Sequence, residues 1–289
     1  MIKIIPTDGP MGAEVLGLDP RLPIQADDLT RLNAAFVDRQ VLLFRDAPLS
    51  AQQLVQFSRN FGELQTHIAK RYQHPEVPEV VLNTNLDDQG NYDKLGADRG
   101  VGWHSDLPYQ QVPAKATLLH ATAVPSSGGN TAFANMVMAY EAMPATLKAR
   151  IDGKFSLFKL GGRHQLTQGV LQDPSKVPRA IHPAIRTHPE TGRKSVYINP
   201  YHTDSIIGLS RSDSDALLDE VFDWCMRPEF QWQQVWRVAD TVIWENRSAW
   251  HSGQQDYPPL EARRFLRTTI RGTPTVEEPM LAQLATQIH

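Results

Sequence analysis

An antiparallel double sheet with helices packed on its outside is the fold class this sequence predicts, and three observations carry the prediction. Short runs of β-branched and large apolar residues recur along the chain, among them "QVLLFRD", "EVVLNTN", "AKATLLHA", "TVIWEN" and "FLRTTIRG". Turn formers and a few helical patterns separate them, without the regular helical crossovers that a parallel sheet needs. The 289 residues, 41% hydrophobic and 21% charged, supply a sizeable core, and no repeat or Pro/Gly/Ser-rich linker divides them. Residues 1–289 are therefore expected to form one domain.

The elements follow in order. "IKIIP" and "QVLLFRD" are expected strands. Between them, Leu29, Leu32 and Phe36 recur at helical spacing in "DDLTRLNAAFVDR", with Asp27 or Asp28 as the N-terminal cap. "SAQQLVQFSRNFGE" is a second helix: Ser50 and Gln53 match a capping box, Leu54, Phe57 and Phe61 share a face, and Gly62 ends it. "EVVLNTN" is a strand, whereas residues 86–100 are polar, aperiodic and rich in turn formers, a long loop of the kind that often serves as a lid or binding segment. "AKATLLHA" and "TAFAN" are strands, "VMAYEAM" a helix stopped before Pro144, and "FSLFKL" a strand. "AIRTHPETGRKSVYIN" is two strands around a Pro/Gly turn. "SRSDSDALLDEVFDWCM" is the last strong helix, capped by Ser210 or Ser212, with Leu217, Val221 and Trp224 on one face. "QWQQVWRV", "TVIWEN" and "FLRTTIRG" complete the strands.

A net charge of −3 offers a nucleic acid or an acidic membrane surface no long-range attraction, so the expected partner is a small molecule. The single cysteine, Cys225, cannot close an intramolecular disulfide, and no signal-like segment opens "MIKIIPTDGP"; both fit a cytoplasmic protein. No apolar run approaches the roughly 18 residues that span a bilayer.

The chemistry begins at "WHSDLPY". On a strand, His104 and Asp106 would project to the same face and could share one metal. Taken alone, an H-x-D dipeptide fits a surface hydrogen bond equally well. The segment "TVIWENRSAWHSG" adds His251 just beyond an apolar strand that can return beside the first. Two histidines and one carboxylate occupy one face of an octahedron and leave three positions open, which suits Fe(II), an oxidisable co-substrate and O2. A structural zinc site would close its tetrahedron with four protein ligands, usually including cysteine, and no cysteine cluster exists. Twelve residues after His251, "RRFLR" places Arg263 and Arg267 on one strand face and Arg264 on the other. Inward arginines need anions. Structural salt bridges would satisfy them, and so would a dicarboxylic co-substrate gripped by a planar guanidinium fork.

"WHSD", "GGNTAFANMVMAYEAMP", "IWENRSAWH" and "RRFLRTTIRG" together resemble the TauD/TfdA family of Fe(II)- and 2-oxoglutarate-dependent dioxygenases, over about residues 2–275. The resemblance implies a cupin-like jelly-roll, that is a double-stranded β-helix, with His104, Asp106 and His251 as metal and catalytic residues. It implies that Thr131 and Arg263 hold the distal carboxylate of 2-oxoglutarate, and that His67 and Arg267 meet the substrate. The reaction it implies consumes O2, releases succinate and CO2, and hydroxylates a small anionic organic substrate: a sulfonate, sulfate ester, carboxylate or aryloxy acid. It also implies a homo-oligomer, a dimer or tetramer. The sequence departs from the family pattern at "WENR", where Glu245 replaces an aspartate, and in the interval from His251 to Arg263, which is one residue longer than usual and keeps Arg264 as the alternative contact.

Other readings attach to particular residues. His202 in "NPYHT" and Tyr109 after the metal motif are candidate substrate-pocket residues. His74, His164, His182 and His188 lack ligand spacing and are expected mostly at the surface, while Arg247 is a buried structural cation paired with Glu245 and Trp232 and Trp236 are core or interface residues. Two rival functions share the triad: a metal-dependent hydrolase or isomerase on the same fold, which needs no pair of anion-binding arginines, and a non-catalytic small-acid sensor.

Overall fold

The computed structural model describes residues 2–66, 70–163 and 176–287. The first half of the chain runs β1 (Lys3–Pro6), β2 (Ala13–Leu16), α1 (Ala26–Arg39), β3 (Val41–Phe44), α2 (Ala51–Ser58), β4 (Val81–Thr84), α3 (Lys94–Ala97), β5 (Ala114–Ala123), β6 (Thr131–Asn135), α4 (Met136–Ala142) and α5 (Ala145–Ile151). It continues through β7 (Phe155–Lys159), β8 (Arg179–Pro183), β9 (Ile185–Thr187), β10 (Lys194–Val196), β11 (Thr203–Ile206), α6 (Arg211–Cys225), β12 (Gln231–Gln234), β13 (Thr241–Glu245), β14 (Ala249–Gly253), β15 (Arg264–Arg271) and α7 (Glu278–Ala285).

Seven strands form the major sheet in the order β1-β2-β3-β13-β5-β15-β4, and smaller sheets, β12-β6-β14, β11-β7-β8 and β10-β9, complete the barrel. All named pairings are antiparallel except β2 with β3. Residue alternation decides what each face does. In β13, Val242 and Trp244 point inward with Phe133 and Phe265, while Ile243 joins Leu32, Phe36, Leu54 and Phe57 under α1 and α2. The same strand is therefore buried on both faces, which is why its apolar residues run without a polar alternation. In β15, Phe265 faces the interior and Leu266 and Ile270 the helices, so the odd positions, Arg267 among them, share the interior face. A second core between α4, α6 and the smaller sheets is built on Leu217, Val221, Phe222 and Trp250.

The expected capping box forms: Gln53 N donates to Ser50 Oγ at 3.2 Å, and Ser50 N to Gln53 Oε1 at 2.9 Å. Several expectations are corrected. Helix α1 starts two residues earlier than an Asp27 cap allows and three earlier than an Asp28 cap; Gln25 occupies the cap position, and Asp27 and Asp28 lie in the first turn, where their charge favours the helix dipole without a capping bond. Of the two candidate serines at α6, Ser210 caps, accepting from Asp213 N at 3.1 Å. The strand expected over "QWQQVWRV" stops at Gln234, beyond which Val235 and Val238 are exposed. A further helix, α7, follows α6; none of its residues is fully buried, which weakens its periodic signature. His182 and His188 are fully buried rather than at the surface, because long-range partners satisfy them: Thr275 Oγ1 and Gln110 O for His182, Glu245 Oε2 for His188. His164 lies outside the described residues.

Candidate metal centre and active-site cavity

His104 and His251 are paired across two antiparallel segments. His104 N donates to His251 O at 3.0 Å and His251 N to His104 O at 2.8 Å, so backbone hydrogen bonds set one imidazole beside the other, with ring centroids 4.1 Å apart. The segment carrying His104 and Asp106 is not the regular strand expected. It is an isolated bridge followed by bends, with Leu107 at φ 55°, and His104 and Asp106 nonetheless project together as the i, i+2 spacing predicts. Asp106 Oδ1 lies 3.8 Å from His104 Nε2 and Asp106 Oδ2 3.8 Å from His251 Nε2. One ligand atom from each of the three residues falls within 4.8 Å of the others.

The donor set fits a divalent cation. His104 Nδ1 is 2.7 Å from Gly102 O, which fixes the proton on Nδ1 and leaves the Nε2 lone pair facing Asp106. Both imidazoles are held neutral, their pKa values lowered first by burial, as ligation requires. At Asp106 burial opposes ionisation, but the Arg267 charge, the two imidazoles and a hydrogen bond from Thr117 outweigh it, and the carboxyl sits far below its usual range. Three protein ligands and no thiolate suit Fe(II) with open positions.

Residues that the sequence did not single out orient the carboxylate. Thr117 Oγ1 donates to Asp106 Oδ2 at 2.5 Å; Asn246 Nδ2 in turn donates to Thr117 Oγ1 at 3.0 Å, and Asn246 Oδ1 accepts from Asp106 N at 3.1 Å. Asn246 belongs to "WENR", whose recognisable pattern was the only signal available. Its neighbours are structural, as expected: Arg247 Nε donates to Glu245 Oε1 at 2.7 Å, and although burial opposes it, Arg247 holds the Glu245 pKa down to about 2.

The triad opens on a cavity of about 620 Å³ that Arg263, Arg267, Thr131, Tyr109 and His202 also line. Arg264 is exposed: with Phe265 facing the interior, alternation turns Arg264 outward. Arg263 lies over the Phe265 ring at 4.5 Å, and its Nε donates to Gly129 O at 2.7 Å. Among the described residues no carboxylate comes within ion-pair distance of it, and burial pushes its pKa down to about 10. The "GGNT" turn makes this approach possible: Gly128 and Gly129 have φ of 67° and 66°, and a Cβ on Gly128 would stand 2.3 Å from Asp256 O. Thr131 Oγ1 accepts from Trp236 Nε1 at 3.0 Å, which leaves the threonine proton free to donate elsewhere. Trp236 is buried and Trp232 packs beside it in the inner core.

Arg267 Nη2 stands 2.8 Å from Asp106 Oδ1, in ion-pair contact but without hydrogen-bond alignment, and neither its Nε nor its Nη2 has a hydrogen-bond partner. Tyr109 is buried against His202, ring centroids 5.0 Å apart, and burial raises its pKa to about 12, so it stays a neutral phenol. His202 packs 5.9 Å from His104 with its Nδ1 unpartnered, and burial followed by the neighbouring imidazole lowers its pKa to about 3. His67 lies outside the described residues.

The family model for the taurine catabolism dioxygenase TauD, TfdA family, matches residues 3–269. The chain belongs to the TauD/TfdA family. Among its relatives, the alpha-ketoglutarate-dependent 2,4-dichlorophenoxyacetate dioxygenase of Cupriavidus pinatubonensis is 32% identical over 267 residues, covering 88% of this chain and 92% of that protein. The (S)-phenoxypropionate/alpha-ketoglutarate-dioxygenase of Sphingobium herbicidovorans is 32% identical over 287 residues, covering 95% and 96%. The crystal structure of AAD-2 in complex with Mn(II) and N-oxalylglycine superposes with a TM-score of 0.83 at 28% identity, covering 96% of this chain and all of that one. As a TauD/TfdA protein the chain is an oxidoreductase, a dioxygenase that uses Fe(II), 2-oxoglutarate and O2, and its mainly β architecture is the family's jelly-roll. No helix among the described residues is long and apolar enough to cross a membrane.

Proposed function

We propose that the dioxygenase hydroxylates a small organic acid, with iron held by His104 Nε2, Asp106 and His251 Nε2. In this reading Arg263 and Thr131 receive the distal carboxylate of 2-oxoglutarate, and Arg267 receives the acid group of the substrate. Tyr109 and His202 form the wall against its body, with His67 as a further contact. The observation that carries it is the unpaired Arg263 guanidinium and the three-ligand site opening on one cavity. When bound, iron and 2-oxoglutarate supply oxidative decarboxylation to succinate and CO2 coupled to hydroxylation of a C–H bond. Every other function falls to the chain. Arg263 neutralises the far carboxylate, Thr131 donates its free proton to it, and Thr117 and Asn246 keep Asp106 ionised and aimed. If the hydroxylated carbon bears an ether, sulfate or sulfonate group, the product can collapse to a carbonyl compound and release that group.

Sulfonates, sulfate esters, carboxylates and aryloxy acids are the substrates to test, since the cavity joins apolar walls at Leu107, Leu119 and Leu160 to the Arg267 cation. With Fe(II), 2-oxoglutarate and air, a substrate should raise succinate formation, with hydroxylated or cleaved product in equal amount, and Arg267→Ala should lose that coupling. Turnover of a neutral substrate alone, equal in wild type and Arg267→Ala, would overturn the reading. The one-domain organisation, the homo-oligomer and the cytoplasmic location belong to the same proposal; the buried thiol of Cys225 supports the last, and sedimentation tests the second.

A further inference from the structure

The 86–100 segment, which the sequence shows only as a polar loop, contributes a cation to the cavity wall at Arg99. Its guanidinium is fixed before any ligand arrives: Nη1 donates to Leu82 O at 3.3 Å, and the group lies 4.4 Å from the centroid of the Tyr72 ring. Leu82 is in β4, whose neighbour Val81 pairs with Arg267 of β15, so this anchor sits at the strand pair from which Arg267 projects. Among the described residues no carboxylate lies within ion-pair distance of Arg99. The nearby acid, Asp93, is engaged by Arg71 at 3.5 Å and by the Tyr72 hydroxyl at 2.9 Å. Burial, and then repulsion from Arg267, push the Arg99 pKa down to about 10, as expected of two cations sharing a cavity without an anion between them.

Charge balance gives this pair a purpose. Divalent iron with Asp106, Arg263 and the 2-oxoglutarate dianion come to no net charge. Of the other cations lining the cavity, Arg71 meets Asp93 and Lys176 is partnered as well, which leaves Arg99 and Arg267. Neighbouring buried cations repel each other, and an oxyanion set between them relieves the repulsion while gaining charge-assisted hydrogen bonds. Arg267 Nε has no partner and its Nη2, in ion-pair contact with Asp106, makes no hydrogen bond, and Arg99 has spent only Nη1. Leu107, Leu160 and Tyr109 offer apolar surface in the same cavity for the rest of the molecule.

We propose that Arg99 is a specificity residue that shares the substrate's oxyanion, a carboxylate, sulfonate or sulfate, with Arg267. The proposal rests on the substrate site described above. The test titrates the anaerobic Fe(II) and 2-oxoglutarate complex with phenoxyacetate, 2-phenylethanesulfonate and hexyl sulfate, using phenoxyacetamide and hexanol as neutral counterparts, and follows binding by calorimetry and by change in the visible charge-transfer band. The three acids distinguish the possible head groups. Arg99→Gln should weaken the tightest acid by about 10- to 100-fold and leave the neutral molecules within about twofold, and Arg99→Lys should recover part of the loss. Equal weakening of acid and neutral probes would make Arg99 a scaffold residue and overturn the proposal. So would an acid affinity unchanged in Arg99→Gln, or wild-type protein that binds none of the acids better than their neutral counterparts. Absence of the charge-transfer band would instead count against the iron and 2-oxoglutarate site, and calorimetry would still decide Arg99.

Discussion

Replacing Arg263 by Ala removes the cation proposed to hold the far carboxylate of 2-oxoglutarate, and the structure sets the size of the effect. The fall of its pKa from 12.5 to about 10 corresponds to roughly 3 kcal/mol disfavouring the charged form inside the protein. The group stays ionised at neutral pH, and a ligand carboxylate returns much of that energy. Its Nε is committed to Gly129 O, which leaves the two terminal nitrogens for the ligand. Charge-assisted bonds contribute on the order of 1.5–3 kcal/mol each, and truncating one partner of a buried pair costs about 2–5 kcal/mol. The dissociation constant of 2-oxoglutarate should therefore rise roughly 30- to 5,000-fold. Arg264→Ala, on an exposed side chain, should change it less than about twofold. Anaerobic titration of the Fe(II) protein with 2-oxoglutarate, read at the charge-transfer band, measures both. A larger loss in Arg264→Ala than in Arg263→Ala would refute the register assigned to the start of β15.

Thr117→Val deletes the hydrogen bond to Asp106 Oδ2 while keeping the side-chain volume, and should weaken Fe(II) binding about 10- to 100-fold, read by competition with a metal chelator; unchanged affinity would remove Thr117 from the site. Glu245→Ala leaves Arg247 buried without its main partner and should destabilise the fold by about 3–5 kcal/mol in urea unfolding, whereas a loss under 1 kcal/mol, the order of a surface pair, would show that the ion pair is dispensable. Burial lowers the pKa of His120 to about 4 and of His182 to about 3, so between pH 6.5 and 4 the unfolded chain takes up protons that the folded one refuses. Stability should be full above pH 7 and fall as pH drops, by roughly 3 kcal/mol per histidine at pH 4. His120→Gln, which keeps an acceptor for Leu49 N, should flatten that slope; an equal slope in both proteins would contradict the assignment.

What the sequence made legible were features written in local spacing. Ser50 and Gln53 announced a helix start, the apolar run of β13 announced a strand, and two motifs, "WHSD" and "IWENRSAWH", brought His104, Asp106 and His251 together before any geometry was known. What it could not show depends on pairing at long range. Thr117 and Asn246 are common residues, and only the register of β13 against β5 sets them beside Asp106. His182 and His188 sit next to prolines, which reads as surface, until Thr275, Gln110 and Glu245 arrive from far along the chain to satisfy them. Arg99 had no periodicity to mark it; its direction comes from Leu82 O and the Tyr72 ring. The regular strand expected at His104 and Asp106 is instead a single bridge followed by bends, yet the convergence that the spacing predicted holds, with the carboxylate 3.8 Å from each imidazole.

The account stands on three side chains making one iron site that accepts 2-oxoglutarate. Anaerobic Fe(II) added to the wild-type protein with excess 2-oxoglutarate should develop a visible charge-transfer band that saturates at one iron per chain, and Asp106→Ala, folded by circular dichroism, should develop none. A wild-type protein without the band, or Asp106→Ala with a band of full strength at the same iron concentration, would contradict the account.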